Sequence, residues 1–534
     1  MVNYVKYILA HRDFIPFSLV LLTSVYALSL ATQMPFSLYY VSTDYFTVAN
    51  NFLSSHPPVP AENTAQLRPL GYPLFLHILS FGSLSISAIA WGQLAVAFLS
   101  PLIGYFVLRK AEMSGWKAAA YILPIIISFG FYASARSIMG EQLYSLLVLG
   151  MFLAAATWLI TKSRLAMTYM LLFWFFSCLT KTTALPLLLA VVFLYPFTSW
   201  LKRAQATAVT LVFILSVLVG LAALHRSIIP DYTSGVGIFA MMNPVVTSRE
   251  KEAWVFKTSD GPATRKLLTM LSDYEQTKRG EKTVARQRER MQVKPSFFEP
   301  SICKKDRVAV PSCLLEMPTL ESYWQVKWLA IRQLGIAEAD AFLTSVVAEQ
   351  LVQKPGMFLR FWLRNSAYFL AGGNMHYSYK PAPQPTMNPK NDFNVAFVPN
   401  IKKGIIGSFQ PSLADNLASL NTGTSVKSVR QMNRYVSPLW RGLFHVNLLV
   451  LAFGSLIAIR YLFLGSKLTV ETAYIMLAAV FFIYHAFAVS ALHPPLGRYV
   501  SPLLPVALFG ITATGLIGLD ILKTYFFSMR KRFL

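Results

Sequence analysis

Acidic residues are scarce in this sequence, with 24 Asp and Glu among 534 residues, and charged residues of both signs make up only 13% of it. Globular chains carry about 25% charged residues, so an ordinary soluble enzyme is excluded. A disordered or nucleic-acid-wrapping polypeptide is excluded as well, because both need low hydrophobicity. No His-Glu-x-x-His, Cys-x-x-Cys pair or Asp-x-Asp occurs, so nothing has metal-ligand spacing. Internal repeats and low-complexity tracts are also missing.

What is present is apolar and basic. Hydrophobic residues account for 55% of the chain, including 39 Phe, 25 Tyr and 10 Trp. Lys and Arg total 48, a net charge of +24. Such an excess suggests a nucleic acid or an anionic membrane as partner, or, in a membrane chain, basic cytoplasmic loops. The positions of the charges decide between these.

A bilayer core needs about 20 mostly apolar residues per helix. Ten stretches fit: 14–33, 84–108, 117–133, 142–161, 165–180, 183–198, 207–225, 440–463, 469–489 and 500–522. The pair within 165–198 forms a tight hairpin around Lys181. With the N-terminus inside, the inner segments hold Lys6 and Arg12, then Arg109, Lys110 and Lys117, then Lys162, Arg164, Lys202 and Arg203. Arg460, Lys467, Lys523, Arg530, Lys531 and Arg532 complete the set. Every short loop on that side is basic, as the positive-inside rule requires, and an even number of spans returns the C-terminus to the same side. A cleavable signal peptide is the alternative for the first run. The charge thus has a membrane explanation, and no nucleic acid partner is expected.

Residues 226–438 do not belong in the bilayer. They carry 28 Lys and Arg against 17 Asp and Glu, and loops of this length translocate regardless of charge. Cys303 and Cys313 lie here, and paired cysteines in an exported segment suggest a disulfide, with two free thiols as the alternative. Cys178 lies in a span and reads as packing. Helical patterning covers 262–292, 320–334 and 338–353. Residues 355–371 pair Arg360 and Arg364 with Phe, Trp and Leu, as in a helix lying in the membrane interface. Residues 377–436 read as long loops. The expected organisation is therefore a module of seven spans over 1–225, a mainly helical outer domain over 226–438, and three spans over 439–534.

Polar residues close to the outer leaflet are few. The first outer loop, 34–83, has one basic residue, Arg68; the next, 134–141, has Arg136, with Glu141 opening the following span. Lys181 sits at the third outer turn, and Arg498 beside His493 in the last. Each cation alone reads as well as a side chain snorkelling to headgroups, but together they suit a lipid-linked phosphate. Asp44 and Glu141 are the acids on this face, Asp44 being open also to a helix N-cap role. His493 is a second acid/base candidate or a solvated loop histidine.

Asp44-Tyr45, followed by Arg68-Pro69-Leu70-Gly71-Tyr72-Pro73-Leu74, resembles the GT-C membrane glycosyltransferases that use polyprenyl-phosphate sugars. These include the protein O-mannosyltransferases and the transferases that add aminoarabinose to lipid A. Leu70 stands where that family often has a second proline. Gly140-Glu141-Gln142-Leu143-Tyr144 is similar to its second acidic position, and Arg498-Tyr499-Val500-Ser501-Pro502 to its Arg-Tyr-x-x-Pro element. The resemblance implies an all-α, GT-C-like polytopic fold of about ten transmembrane helices. It also implies sugar transfer from a polyprenyl-phosphate donor on the outer face of a bacterial inner membrane. The acceptor would be a lipopolysaccharide, another glycolipid, a cell-wall glycan or a protein.

In such chemistry Asp44 is the general base for an inverting attack, and Arg68, Lys181 and Arg498 hold the departing phosphate. Glu141 contacts the acceptor or orients a cation, with Arg136 as its prospective partner. Tyr45, Tyr72 and Tyr499 are prospective substrate contacts. No cofactor is expected, with a divalent cation shared by Asp44 and Glu141 as the alternative. Two other functions compete. An O-antigen ligase or polymerase would rely on arginines and a histidine in the large loop. A transporter or flippase would show paired repeats and ionisable groups near the bilayer midplane.

Overall fold

The computed structural model describes residues 13–33, 44–46, 48–49, 67–128, 132, 134–138, 140–195, 199–229, 232–233, 235–241, 256–277, 320–370, 446–464, 467–492 and 503–533. Cys303, Cys313, His493, Arg498, Tyr499 and the stretch 377–436 lie outside these residues, as does the part of the expected 262–292 helix beyond residue 277. Among the described residues the structure is helical, without a β-strand. It is an all-α polytopic membrane protein.

Among the described residues seven helices are long and apolar enough to cross a bilayer: Phe14–Thr32 (α1), Ile86–Lys110 (α3), Glu141–Thr161 (α5), Trp200–Ile228 (α8), Val446–Leu464 (α14), and, within longer helices, Val470–Ser490 (α15) and Leu504–Phe526 (α16). The expected spans 117–133, 165–180 and 183–198 are shorter apolar helices, Gly115–Ile127 (α4), Arg164–Thr180 (α6) and Leu185–Leu194 (α7). At 1.5 Å per residue, α4 extends only about 20 Å and α6 about 26 Å, below the roughly 30 Å of a hydrocarbon core. Helix α8 starts seven residues before the expected 207–225 span, because Ser199 accepts from the Lys202 amide and caps it. Its flank is apolar yet outward, with Val209, Val212 and Val219 exposed, the pattern of a lipid-facing helix.

The C-terminal helices close onto the N-terminal ones. Helix α15 packs on α16, α5 and α7, and α16 on α4. At the junction Tyr121 stacks on Phe509 at 5.1 Å and meets Tyr474 edge-on at 5.3 Å, while Phe152 meets Phe481 at 5.9 Å. Lys117 and Glu471 join α4 to α15 across 2.8 Å. Helices α14 and α15 approach so closely that a Cβ at Gly454 would stand 2.5 Å from the Ile475 carbonyl oxygen; without a hydrophobic drive in lipid, small residues permit such packing.

A separate core joins Val236–Ala240 (α9), Pro262–Glu275 (α10), Leu320–Leu334 (α11) and Ile336–Gln353 (α12), with Ile238, Leu267, Leu271, Val326, Ala339 and Leu343 buried. Buried Asp340 accepts from the Thr233 hydroxyl, the Gly235 amide (3.1 Å) and the Ile238 amide (3.0 Å), supplying the cap that α9 lacks locally. Glu349 does the same for α10, accepting from the Ala263 and Thr264 amides at 2.9 and 2.7 Å. Pro355–Leu370 (α13) packs on α15: Phe361, Asn365 and Phe369 are buried, and the Trp362 indole N–H donates to the Phe487 carbonyl at 2.7 Å. Leu359, Arg360, Leu363 and Arg364 point outward, leaving an amphipathic outer face.

Two acids of this outer core titrate below their ordinary range. Burial raises Asp260, but the Lys354 ammonium (2.6 Å), the Lys257 amide and Gln350 outweigh it. Burial is likewise outweighed at Glu349 by the two amides of α10. A depressed carboxylate contributes stability that is complete above its ordinary pKa and lost as pH falls through the folded value. Proteolysis of the micelle-solubilised protein within 256–353 should therefore be constant above about pH 5 and increase below about pH 4. Asp260→Asn should flatten that dependence, and an unchanged acid profile would contradict the assignment.

Candidate functional site

The site begins with the end of the first outer loop. Asp44 opens a short helical segment, and Arg68-Pro69-Leu70 leads into Gly71–Leu79 (α2). The Arg68 Nε and Nη2 groups both reach Asp44 Oδ2, at 2.9 and 2.8 Å. The carboxylate side chain is 4% exposed. The guanidinium also lies 5.7 Å from the Tyr45 ring centre, and Tyr45 meets Tyr72 edge-on at 4.8 Å. A second ion pair has the same form. Glu141 at the head of α5 accepts from Lys181, just after α6, at 3.0 Å, and Lys181 Nζ stands 5.5 Å from the Tyr144 ring centre. The partner of Glu141 found here is thus Lys181, where Arg136 was the prospective one.

Close backbone approach links the segments that carry the two pairs. A Cβ at Gly71 would stand 2.7 Å from the Thr180 hydroxyl oxygen and 2.9 Å from the Leu179 carbonyl oxygen, so only glycine lets the Arg68 segment press on the residues preceding Lys181. Gly140, preceding Glu141, faces Tyr45 and Tyr72 at 3.6 Å from its Cβ position. Beneath them, Gln93 of α3 donates to the Tyr72 hydroxyl (3.1 Å), the Ser137 carbonyl (3.2 Å) and Gln142 (3.3 Å), and Gln142 donates back to the Gln93 carbonyl (2.8 Å). This buried network fixes the loop at 134–138. Arg136 is buried in that loop, and burial pushes its guanidinium down to about 10, which leaves it charged at neutral pH.

His225 is a residue the sequence reading missed. It ends α8, fully buried, with its Nδ1–H donated to the Leu221 carbonyl at 2.5 Å and its Nε2 accepting from the Leu70 amide at 2.9 Å. Its ring stacks on Tyr232 at 4.3 Å, and Val48, Leu70, Ile229 and Tyr232 pack together around it. A proline at position 70 would have no N–H to give. Leu70 thus supplies the donor that His225 receives. No local pattern announces this bond, because its acceptor lies 155 residues away.

The arrangement has two carboxylates, each bonded to a cation, beside tyrosine rings. Among the described residues no group of three His, Cys, Asp or Glu could hold a metal ion. Arg498, Tyr499 and His493 cannot be placed relative to the pairs, as they are outside the described residues.

The Leu70–His225 bond predicts a non-additive pair. Leu70 has φ −73°, within proline's range, so Leu70→Pro removes the donor while keeping φ, and its ring presses on His225, whose Nε2 faces the amide at 2.9 Å. His225→Phe leaves the Leu70 amide buried without its acceptor and should cost about 1–3 kcal/mol. In Leu70→Pro that cost should largely vanish, as read from denaturation midpoints of the four proteins in micelles. Additive losses would remove the bond from any positioning role.

Comparison with known proteins adds no name to this geometry: no family model matches the chain, and no curated protein or solved structure matches it.

Proposed function

We propose that this protein is a membrane glycosyltransferase that moves a sugar from a polyprenyl-phosphate donor to an acceptor on the outer face of a bacterial inner membrane. The observation that carries the reading is the buried Asp44–Arg68 pair set beside Glu141–Lys181, two acids and two cations drawn from four segments. A sugar phosphate already has its leaving group. Catalysis then requires a base at the acceptor hydroxyl and positive charge at the departing phosphate. Asp44 takes the acceptor proton, the acceptor oxygen forms a bond to C1, and the C1–O bond to phosphate breaks with inversion. Arg68 and Lys181, with Arg498, hold the released polyprenyl phosphate, and Glu141 orients Lys181. Tyr45 and Tyr72 line the approach. The acceptor is a lipopolysaccharide, another glycolipid, a cell-wall glycan or a protein. The proposal includes ten spans, with the three short apolar helices crossing, so that both termini are cytoplasmic and 226–438 is periplasmic.

Arg68 and Lys181 are both engaged by carboxylates in the protein alone. In this mechanism the donor phosphate competes for these cations, and its arrival loosens Asp44 for the acceptor. Asp44→Asn should therefore abolish transfer from polyprenyl-phosphate sugars, by about 10²-fold or more, while retaining donor binding. Arg68→Ala should weaken donor binding and leave an unpaired buried carboxylate. Transfer at the normal rate by Asp44→Asn, measured in lipid nanodiscs, would refute the base assignment.

A further inference from the structure

At the opposite ends of these helices, buried cations meet a different fate. Arg109 donates to Asp13 and to the Met113 carbonyl, and Lys117 is paired with Glu471. Arg203, in the first turn of α8, has no such partner among the described residues. It is 5% exposed, yet its Nε and Nη1 groups have no acceptor, and Nη2 makes only one long contact, 3.5 Å, to the Tyr195 carbonyl. Burying charged donors without acceptors is unfavourable, and Arg203 is the least satisfied cation among the described residues. Its guanidinium stands 4.5 Å from the Trp200 ring centre and 5.7 Å from that of Phe193. Cation–π contact of this kind offsets part of the cost but consumes no N–H donor.

Lys162 converges on the same place from the end of α5. It donates to the Leu159 carbonyl, lies 3.5 Å from the Tyr461 hydroxyl and stands 4.9 Å from the Tyr195 ring centre. Trp158 stacks on the other side of that tyrosine environment at 4.6 Å. Two cations without a carboxylate thus share an aromatic floor built from α5, α8, α14 and the residue after α7. The missing complement is an anion with several acceptor oxygens. The rim tells which source of such an anion fits. Trp200, Leu201, Phe463 and Leu464 around it are all more than half exposed, an apolar border that suits acyl chains, with Trp200 placed as at a headgroup boundary.

We propose that Lys162 and Arg203 bind the phosphate of an anionic phospholipid in the leaflet opposite the Asp44 site. Lys162, at the exposed mouth, meets the phosphate first; the Arg203 Nε and Nη1 groups, enclosed by protein, donate to its non-bridging oxygens once the guanidinium swings toward that mouth. The site is independent of the proposed transfer reaction, since it uses none of the residues assigned to that chemistry.

The test reads thermal stabilisation of the purified full-length protein by phosphatidylglycerol, with phosphatidylcholine and inorganic phosphate as separate arms. The expected result is a phosphatidylglycerol-specific rise in melting temperature, requiring at least about tenfold more lipid in Arg203→Gln and in Lys162→Gln. Lys202→Gln, an exposed neighbour, should behave as the parent. Should Arg203→Gln not fold, Lys162→Gln carries the test alone, because that side chain is exposed. Equal stabilisation by phosphatidylcholine, or an unaltered response in Lys162→Gln, overturns the site. Inorganic phosphate matching phosphatidylglycerol at equal phosphate concentration overturns the lipid and makes the ligand a soluble phosphate.

Discussion

An ionised side chain removed from water is stable only beside opposite charge or dense hydrogen bonding. In a chain with so few charges, this constraint makes five ion pairs among the described residues joints between distant segments. Asp44–Arg68 spans 24 residues, Glu141–Lys181 spans 40, Asp260–Lys354 spans 94, Asp13–Arg109 spans 96 and Lys117–Glu471 spans 354. None is a local helix pair of the weak surface type. Each closes a loop, and losing one partner strands the other charge in apolar surroundings. The bundle's connectivity at its two ends is written in these pairs, while the middle is held by aromatic and small-residue packing.

The joints at the two ends differ in what surrounds them. Asp13–Arg109 and Lys117–Glu471 tie neighbouring helices to one another. The pairs at Asp44 and Glu141 sit at segment ends, beneath tyrosine rings and next to backbone that glycine allows to approach. Gly71 matters for that reason: its lack of a Cβ lets the segment carrying Arg68 lie against the residues preceding Lys181. The Gln93–Gln142 network below stiffens the floor without adding charge. Rigid positioning of few ions in dry surroundings is what electrostatic stabilisation of a charged transition state requires.

Much of the helical layout was legible because burial in lipid demands long apolar runs, and each of the ten expected spans coincides with an apolar helix. Their ends were harder to read. Lys202 and Arg203 resemble loop residues, yet Ser199 caps the helix before them, so α8 includes both. Of the ten expected crossings, seven coincide with described helices of spanning length and three with shorter apolar helices, because hydropathy counts apolar residues and the backbone decides how many are helical. At the site, Asp44, Arg68, Glu141 and Lys181 stood out as rare ions near one leaflet. Which acid meets which cation did not, because pairing across 24 and 40 residues follows from tertiary contact alone. His225 had no visible signal, being a histidine at a span end whose partner is a backbone amide.

Pairing each cation with an acid has an energetic consequence for a phosphate-handling site. Unpaired arginine and lysine would bind donor and product phosphates alike, and such uniform binding lowers the free energy of bound states without accelerating the step between them. When a carboxylate must be displaced first, part of the phosphate interaction is offset in the ground state. That offset diminishes as negative charge grows on the departing oxygen, because the phosphate then competes better for the cation. The acid released at the same moment is free to accept a hydrogen bond from the acceptor hydroxyl. Under the proposed chemistry, the Asp44–Arg68 pair therefore couples release of the base to phosphate charge through one shared guanidinium, and the two demands of the reaction are met by the same contact changing hands.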